Sequence, residues 1–282
     1  MLNEMISKDN NKDIEILKER IKRLEKNNSI MREQLEQVKR DKIEYMQNVA
    51  HQLVAPLNAI KWHIENLTEG RIGYDRAQKV LRSVYSQATI AVHLAKNFNL
   101  MSNLEADHKL SALKEPLEEV EIVRLLVNLA NDFQPLAWDK NVNIKVIKES
   151  LRFAPNVLAM KSLISQVYSN IIENAVKYSH KETEIFIEGE YNKESDTVMV
   201  RVKNRGIEIA EKDEQYVFDR GFRTPEAKNA YPAGTGFGLY IARRIIELHE
   251  GSISVSTDEK RWITFTVNLF ARKLGGKARR RD

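Results

Sequence analysis

From Ile14 to Ala55 the chain contains neither glycine nor proline, and its apolar residues recur at alternating intervals of three and four. Ile14, Leu17, Ile21, Leu24, Asn28, Met31, Leu35 and Val38 form one such series. In a helix this spacing places every member on one narrow stripe, the a/d seam of a coiled coil. Isoleucine often stands at a and leucine at d, a choice that favours two parallel strands. Asn28 falls at an a position, where a polar residue fixes register at some cost in stability. The pattern predicts a parallel homodimer with a coiled-coil helix over residues 1–42.

A second stripe, shifted in phase, runs through Ile43, Met46, Ala50, Leu53, Leu57, Ile60, Ile64 and Leu67. Pro56 lies within it, where a proline removes a helical hydrogen bond and favours a kink. "TEGRIGYD" then breaks the helix, with Gly70 and Gly73 as breakers. Ala77, Leu81, Val84, Ala88, Ala91, Ala95 and Phe98 mark one face of a returning helix. Residues 43–112 therefore read as a helical hairpin, and two hairpins in a dimer make a four-helix bundle.

Beyond residue 112 the pattern changes. "EEVEIVRLLVNLANDF" and "LAMKSLISQVYSNIIENAVKYS" have helical periodicity. "VNIKVIK", "TEIFIEGEY", "TVMVRVKN", "GSISVS" and "WITFTVNLF" alternate as strands do. Residues 113–271 are expected to form an α/β layered domain.

Composition narrows the function classes. The absence of cysteine excludes disulfides and thiolate metal sites. No apolar run approaches the roughly 18 residues of a membrane span, and the opening residues lack a signal-peptide core. The expectation is a cytoplasmic protein with no membrane span. The formal charge is +5, but the tail from Arg272 to Asp282 carries six bases against one acid, so the rest of the chain is neutral. That argues against a nucleic-acid partner, which needs a basic face on the folded body. Residues 272–282 read as a basic, disordered end.

Three stretches carry chemistry: "HQLVAPL" on the hairpin, "NIIENAVKYS" on a helix, and "NRGIEIAEKDEQYVFDRGFR" followed by "GTGFGL". In this order and spacing they resemble the phosphoacceptor box and nucleotide boxes of sensor histidine kinases, over about Ile43 to Phe270. The resemblance implies a multidomain fold: a coiled-coil helix, a dimerisation and phosphotransfer hairpin, then an α/β sandwich ATP-binding domain of the gyrase, Hsp90, kinase and MutL type. It implies ATP and Mg²⁺ as cofactors and a response-regulator receiver domain as partner. The sensory domain is expected to be separate or missing.

Residue by residue, the resemblance makes His51 the phosphoacceptor, with Gln52 beside it. A neutral imidazole is a good nucleophile near pH 7. Asn170, Asn174 and Lys177 fall at i, i+4 and i+7 on one helical face. The resemblance assigns Asn170 to Mg²⁺ through its amide oxygen, and Asn174, Lys177 and Tyr178 to the phosphates. Asn204 and Gly206 belong to the adenine-reading box. Gly234, Gly236 and Gly238 let the backbone approach phosphate, ahead of a helix with free N–H groups. Arg223, in the intervening lid, is expected at a phosphate. His63, His93, His108, His180 and His249 have no comparable context and read as structural.

Four positions depart from the family pattern. Gln52 stands where an acid usually follows the phosphoacceptor, and Ala55 where a Thr or Asn associated with phosphatase activity is common. Asn204 replaces the adenine-reading aspartate, and Glu208 the second glycine of that box. An amide at Asn170 cannot take a proton from water, as the glutamate base of the related ATPases does. Two readings stay open: a slow histidine kinase with poor phosphatase activity, and a degenerate kinase acting as a dimeric scaffold or nucleotide sensor.

Overall fold

The computed structural model describes the backbone of residues 2–69, 73–106, 116–232 and 234–271. Two compact units, residues 1–50 and 51–282, divide the chain. The first is the opening stretch of α1 (Leu2–Glu69), an unbroken helix that continues through Pro56. Its stripe residues Ile21, Leu24, Met31, Leu35, Val38, Ile43 and Met46 are exposed in the single chain, whereas Val49 is buried. The side chains of Ile14 and Leu17 lie outside the described residues. No break in the helix marks the expected boundary at residue 42.

In the second unit the rest of α1 is followed by α2 (Tyr74–Ala106), giving the expected hairpin. Gly73 accepts the first amide bonds of α2, from Arg76 and Ala77 (3.1 and 3.0 Å). Gly70 lies outside the described residues, as do the boundary at 112, His108 and the basic tail.

The α/β portion contains β1 (Glu118–Val120), α3 (Ile122–Trp138), β2 (Asn143–Val146), β3 (Val157–Ala159), α4 (Lys161–Tyr178), β4 (Glu184–Asn192), β5 (Thr197–Arg205), α5 (Glu211–Glu214), α6 (Pro225–Ala230), α7 (Gly238–Leu248), β6 (Ser252–Thr257) and β7 (Trp262–Phe270). Five strands form one sheet in the order β2-β4-β5-β7-β6; β2 runs parallel to β4 and the other pairs are antiparallel. β1 and β3 form a separate antiparallel pair. Both were missing from the sequence reading, because three residues are too few to show alternation.

Strand alternation decides which face is covered. Ile185, Ile187, Val198, Val200, Val202, Phe265 and Val267 are buried. Their neighbours one residue along form the solvent-facing side, where Lys203 pairs with Glu188, and Arg205 lies 4.6 Å from the Trp262 ring. Ile164, Ile171 and Ile172 of α4 and Ile241 and Ile245 of α7 are fully buried in the same core. Each such side chain contributes roughly 1.5–3 kcal/mol relative to exposure.

α2 has a second buried face. Ser86, His93 and Met101 are buried, and α2 packs on α3, α4 and α7. Tyr85 donates to Asp132 of α3 at 2.9 Å, and Arg82 lies 5.1 Å from the Trp138 ring. The alanine-rich stripe seen in the sequence is a different face of this helix.

Candidate functional site

A cleft with about 1010 Å³ of space, its open mouth included, lies among α4, the ends of β5 and β7, the lid, and the hairpin. Asn170, Asn174, Lys177 and Tyr178 from α4, Asn204 from β5, Arg223, Gly234 and Gly236 from the lid, and Gly238 at the start of α7 all line it. Gln52, Leu94 and Asn97 of the hairpin line it too. His51 is exposed on α1 and is not among the lining residues.

Two glycines are required by geometry. Gly236 has φ +72°, and a Cβ there would stand 2.7 Å from the Gly221 carbonyl carbon. Gly206 does not line the cleft: it bridges to Ser179, and a Cβ on it would fall 2.0 Å from the Tyr178 carbonyl oxygen. It holds the end of β5, and with it Asn204, against the end of α4.

Glu173, absent from the sequence candidates, organises the α4 face. Its buried carboxylate pairs with Lys177 Nζ (2.6 Å) and His93 Nε2 (2.9 Å). Burial pushes its carboxyl up, but Lys177 and His93 together outweigh burial and hold it well below the ordinary carboxylate range. Burial likewise disfavours the Lys177 ammonium, and Glu173 more than compensates, so Lys177 is held above its ordinary value and stays charged at the cleft.

His93 is the centre of a buried polar network. Gln166 Nε2 donates to His93 Nδ1 (3.0 Å) and to Asn97 Oδ1 (2.8 Å). That leaves the imidazole proton on Nε2, which faces Asn170 Oδ1 at 2.9 Å. Asn97 Nδ2 donates to the same oxygen at 2.8 Å. Turning the Asn170 amide over would set its Nδ2 against two donors, so its orientation is fixed and Nδ2 remains buried without a partner.

The Asn170 oxygen expected at Mg²⁺ accepts from Asn97 and faces the His93 Nε2–H, which Glu173 shares, and the residue is only 1% exposed. The amide left open to the cleft is that of Asn174, one turn further on and half-buried. Arg223 points into the lid backbone. Its guanidinium, expected at a phosphate, donates to the carbonyls of Ala227 (2.7 Å), Gly234 (2.7 Å), Pro232 (3.2 Å) and Tyr231. It staples the lid, whose short helix α6 is capped by Thr224 accepting from Ala227 N (3.2 Å). The lid's Tyr231 meets Tyr178 edge-on at 5.6 Å. Glu208, at the rim, pairs with Arg261 at 3.0 Å.

His93, Asn97, Gln166 and Glu173 were missed as functional residues. His93 and Asn97 are spaced i, i+4, and Gln166, Asn170 and Glu173 share a side of α4, but no local pattern says that these two helices meet.

Residues 160–273 match the family model described as histidine kinase-, DNA gyrase B- and HSP90-like ATPase. The chain is 28% identical over 236 residues to the sensor histidine kinase WalK of Bacillus subtilis, covering 83% of this chain and 37% of WalK. It is 28% identical over 248 residues to the histidine protein kinase SaeS of Staphylococcus aureus, covering 84% and 67%. The chain is similar to sensor histidine kinases, and its residues 160–273 match the ATPase family they share. Full-length ShkA, solved in complex with AMPPNP, has the same fold over 80% of this chain and 45% of that one, with a TM-score of 0.52 and 20% identity. The matched family model thus runs from just before α4 to the end of β7, the stretch that builds most of the cleft. The chain spans about a third of WalK and two thirds of SaeS. Among its described residues, no helix is long and apolar enough to cross a membrane.

Proposed function

We propose that this chain is an ATP-dependent histidine kinase of a two-component system. An imidazole nitrogen of His51 attacks the γ-phosphorus of ATP, a P–N bond forms, the bond to the bridging β–γ oxygen breaks, and ADP leaves. The phosphoryl group then passes to an aspartate of a response-regulator receiver domain. The observation carrying this reading is that one cleft collects Gln52, the neighbour of His51, together with Asn174, Lys177 and the glycine loop.

The division of labour follows from the side chains. Lys177, kept charged by Glu173, faces phosphate; Gly234, Gly236 and Gly238 admit it against backbone. Asn174 fits Mg²⁺ better than Asn170, since it lines the cleft half-buried while Asn170 is bonded to α2, and Mg²⁺ uses few protein oxygens beside phosphates and water. When bound, the ion neutralises phosphate charge. Gln52 accepts the imidazole N–H and orients the ring, but is no base. Asn170 cannot activate water, so bound ATP persists until His51 arrives.

The exposed stripe from Ile21 to Met46 supports a parallel homodimer, which would complete a four-helix bundle from two hairpins. We place the protein in the cytoplasm, with its input supplied by another segment or partner. A second reading, a scaffold or nucleotide sensor, is favoured by one observation: His51 does not line the cleft, while α2 holds Asn170. Incubation with γ-labelled ATP and a receiver domain separates them. The kinase reading expects label on His51 and then on the receiver; nucleotide binding without label leaves the sensor.

A further inference from the structure

Asn204 is only 2% exposed, yet its side chain lines the cleft and hydrogen-bonds to no other described residue. Its amide therefore meets the cleft itself, and a ligand that displaces water there must supply the hydrogen-bond partner. Its surroundings are apolar. Ile263 is its register partner on β7, and Ile209, Val217 and Phe265 line the same part of the cleft. The charged and glycine-rich wall, with Lys177 and the loop from Gly234 to Gly238, is built from other elements. An apolar wall bearing one cleft-facing amide suits a flat heteroaromatic ring with a polar edge.

Purine edges differ in what they present. Adenine offers an amino donor at N6; guanine offers an acceptor at O6 and a donor at N1. A carboxylate at this position accepts only: it can take N1–H of guanine but repels the adjacent O6, a penalty that adenine N6 does not bring. An amide has both a donor and an acceptor, and can turn to match either base. The geometry points to a cleft that takes guanine nucleotides as well as adenine nucleotides, with Asn204 as the residue that sets this dual specificity. The inference rests on the nucleotide reading of the cleft and names its ligand class more broadly.

The test is calorimetric titration of the full chain, with Mg²⁺, by ATP, GTP and inosine triphosphate. Inosine has O6 and N1–H but no 2-amino group, so it isolates the edge that Asn204 would read. The expected result is GTP and inosine triphosphate binding within about tenfold of ATP. Asn204→Asp should shift the GTP/ATP affinity ratio toward ATP by at least about tenfold. If ATP binds while GTP is weaker by more than about tenfold, or the ratio does not move in Asn204→Asp, the inference is overturned and the nucleotide site survives. If no triphosphate binds the unaltered chain, the nucleotide reading fails with it. A calorimetric melting scan of Asn204→Asp checks that the variant is folded; should it unfold, the comparison among the three nucleotides on the unaltered chain still decides.

Discussion

His93 Nε2 stands 2.9 Å from Asn170 Oδ1 and 2.9 Å from Glu173 Oε2, joining the second hairpin helix to the helix that forms the cleft's polar wall. The imidazole is 5% exposed. Removing it leaves Glu173 with Lys177 alone and strips one donor from Asn170. His93→Ala should therefore lose about 2 kcal/mol in urea unfolding. A loss below about 0.5 kcal/mol, the size of an ordinary surface change, would contradict the buried network.

Glu173 predicts an acid-sensitive fold. Its carboxyl titrates lower in the folded chain than the 4.5 of an unperturbed group, because Lys177 and His93 outweigh its burial. A depressed carboxyl contributes stability that is present above the unfolded pKa. That contribution is lost as pH falls toward the folded value. The unaltered chain should lose stability below about pH 4.5, and Glu173→Gln should flatten that limb. Parallel stability profiles for the two proteins between about pH 5 and pH 3 would show that Glu173 is not the group responsible.

Gly206 is a position where backbone meets backbone. With 2.0 Å between an added Cβ and the Tyr178 oxygen, Gly206→Ala must separate β5 from α4. The expected cost is above about 2 kcal/mol, with weaker nucleotide binding because Asn204 and Tyr178 move apart. Thermal unfolding and nucleotide titration together check it; a fully stable variant would mean the approach is looser than described.

Dimerisation follows from the exposed seam. Ile21, Leu24, Met31, Leu35 and Val38 are each more than half exposed in the single chain. Light scattering at micromolar concentration should report a dimer, and Leu24→Glu with Leu35→Glu should shift it to monomer. Asn28→Val should keep association but admit higher oligomers. A monomeric unaltered chain would contradict the coiled-coil reading.

Much of the fold was legible because it depends on local period. The three-four stripe gave α1 and its hairpin partner, and alternation gave β4, β5 and β7. The cleft residues were legible because phosphate chemistry requires Gly236 and Lys177 in recognisable runs. His93 was not, since nothing within its own helix distinguishes it from a surface histidine; its role depends on Gln166, 73 residues away. The bonding of Arg223 within the lid was not legible for a related reason. An arginine beside a glycine loop suits phosphate in sequence, and only the folded lid shows four carbonyls converging on it.

The most direct measurement is the chemistry of the label after incubation with γ-labelled ATP and Mg²⁺. The account predicts an alkali-stable, acid-labile phosphoramidate on the unaltered chain, absent in His51→Ala. Gln52→Glu should label faster, since a positioned carboxylate contributes about 10²- to 10⁴-fold and glutamine retains only part of that. Acid-stable label, or label persisting in His51→Ala, would contradict the assignment of His51 as the phosphoacceptor.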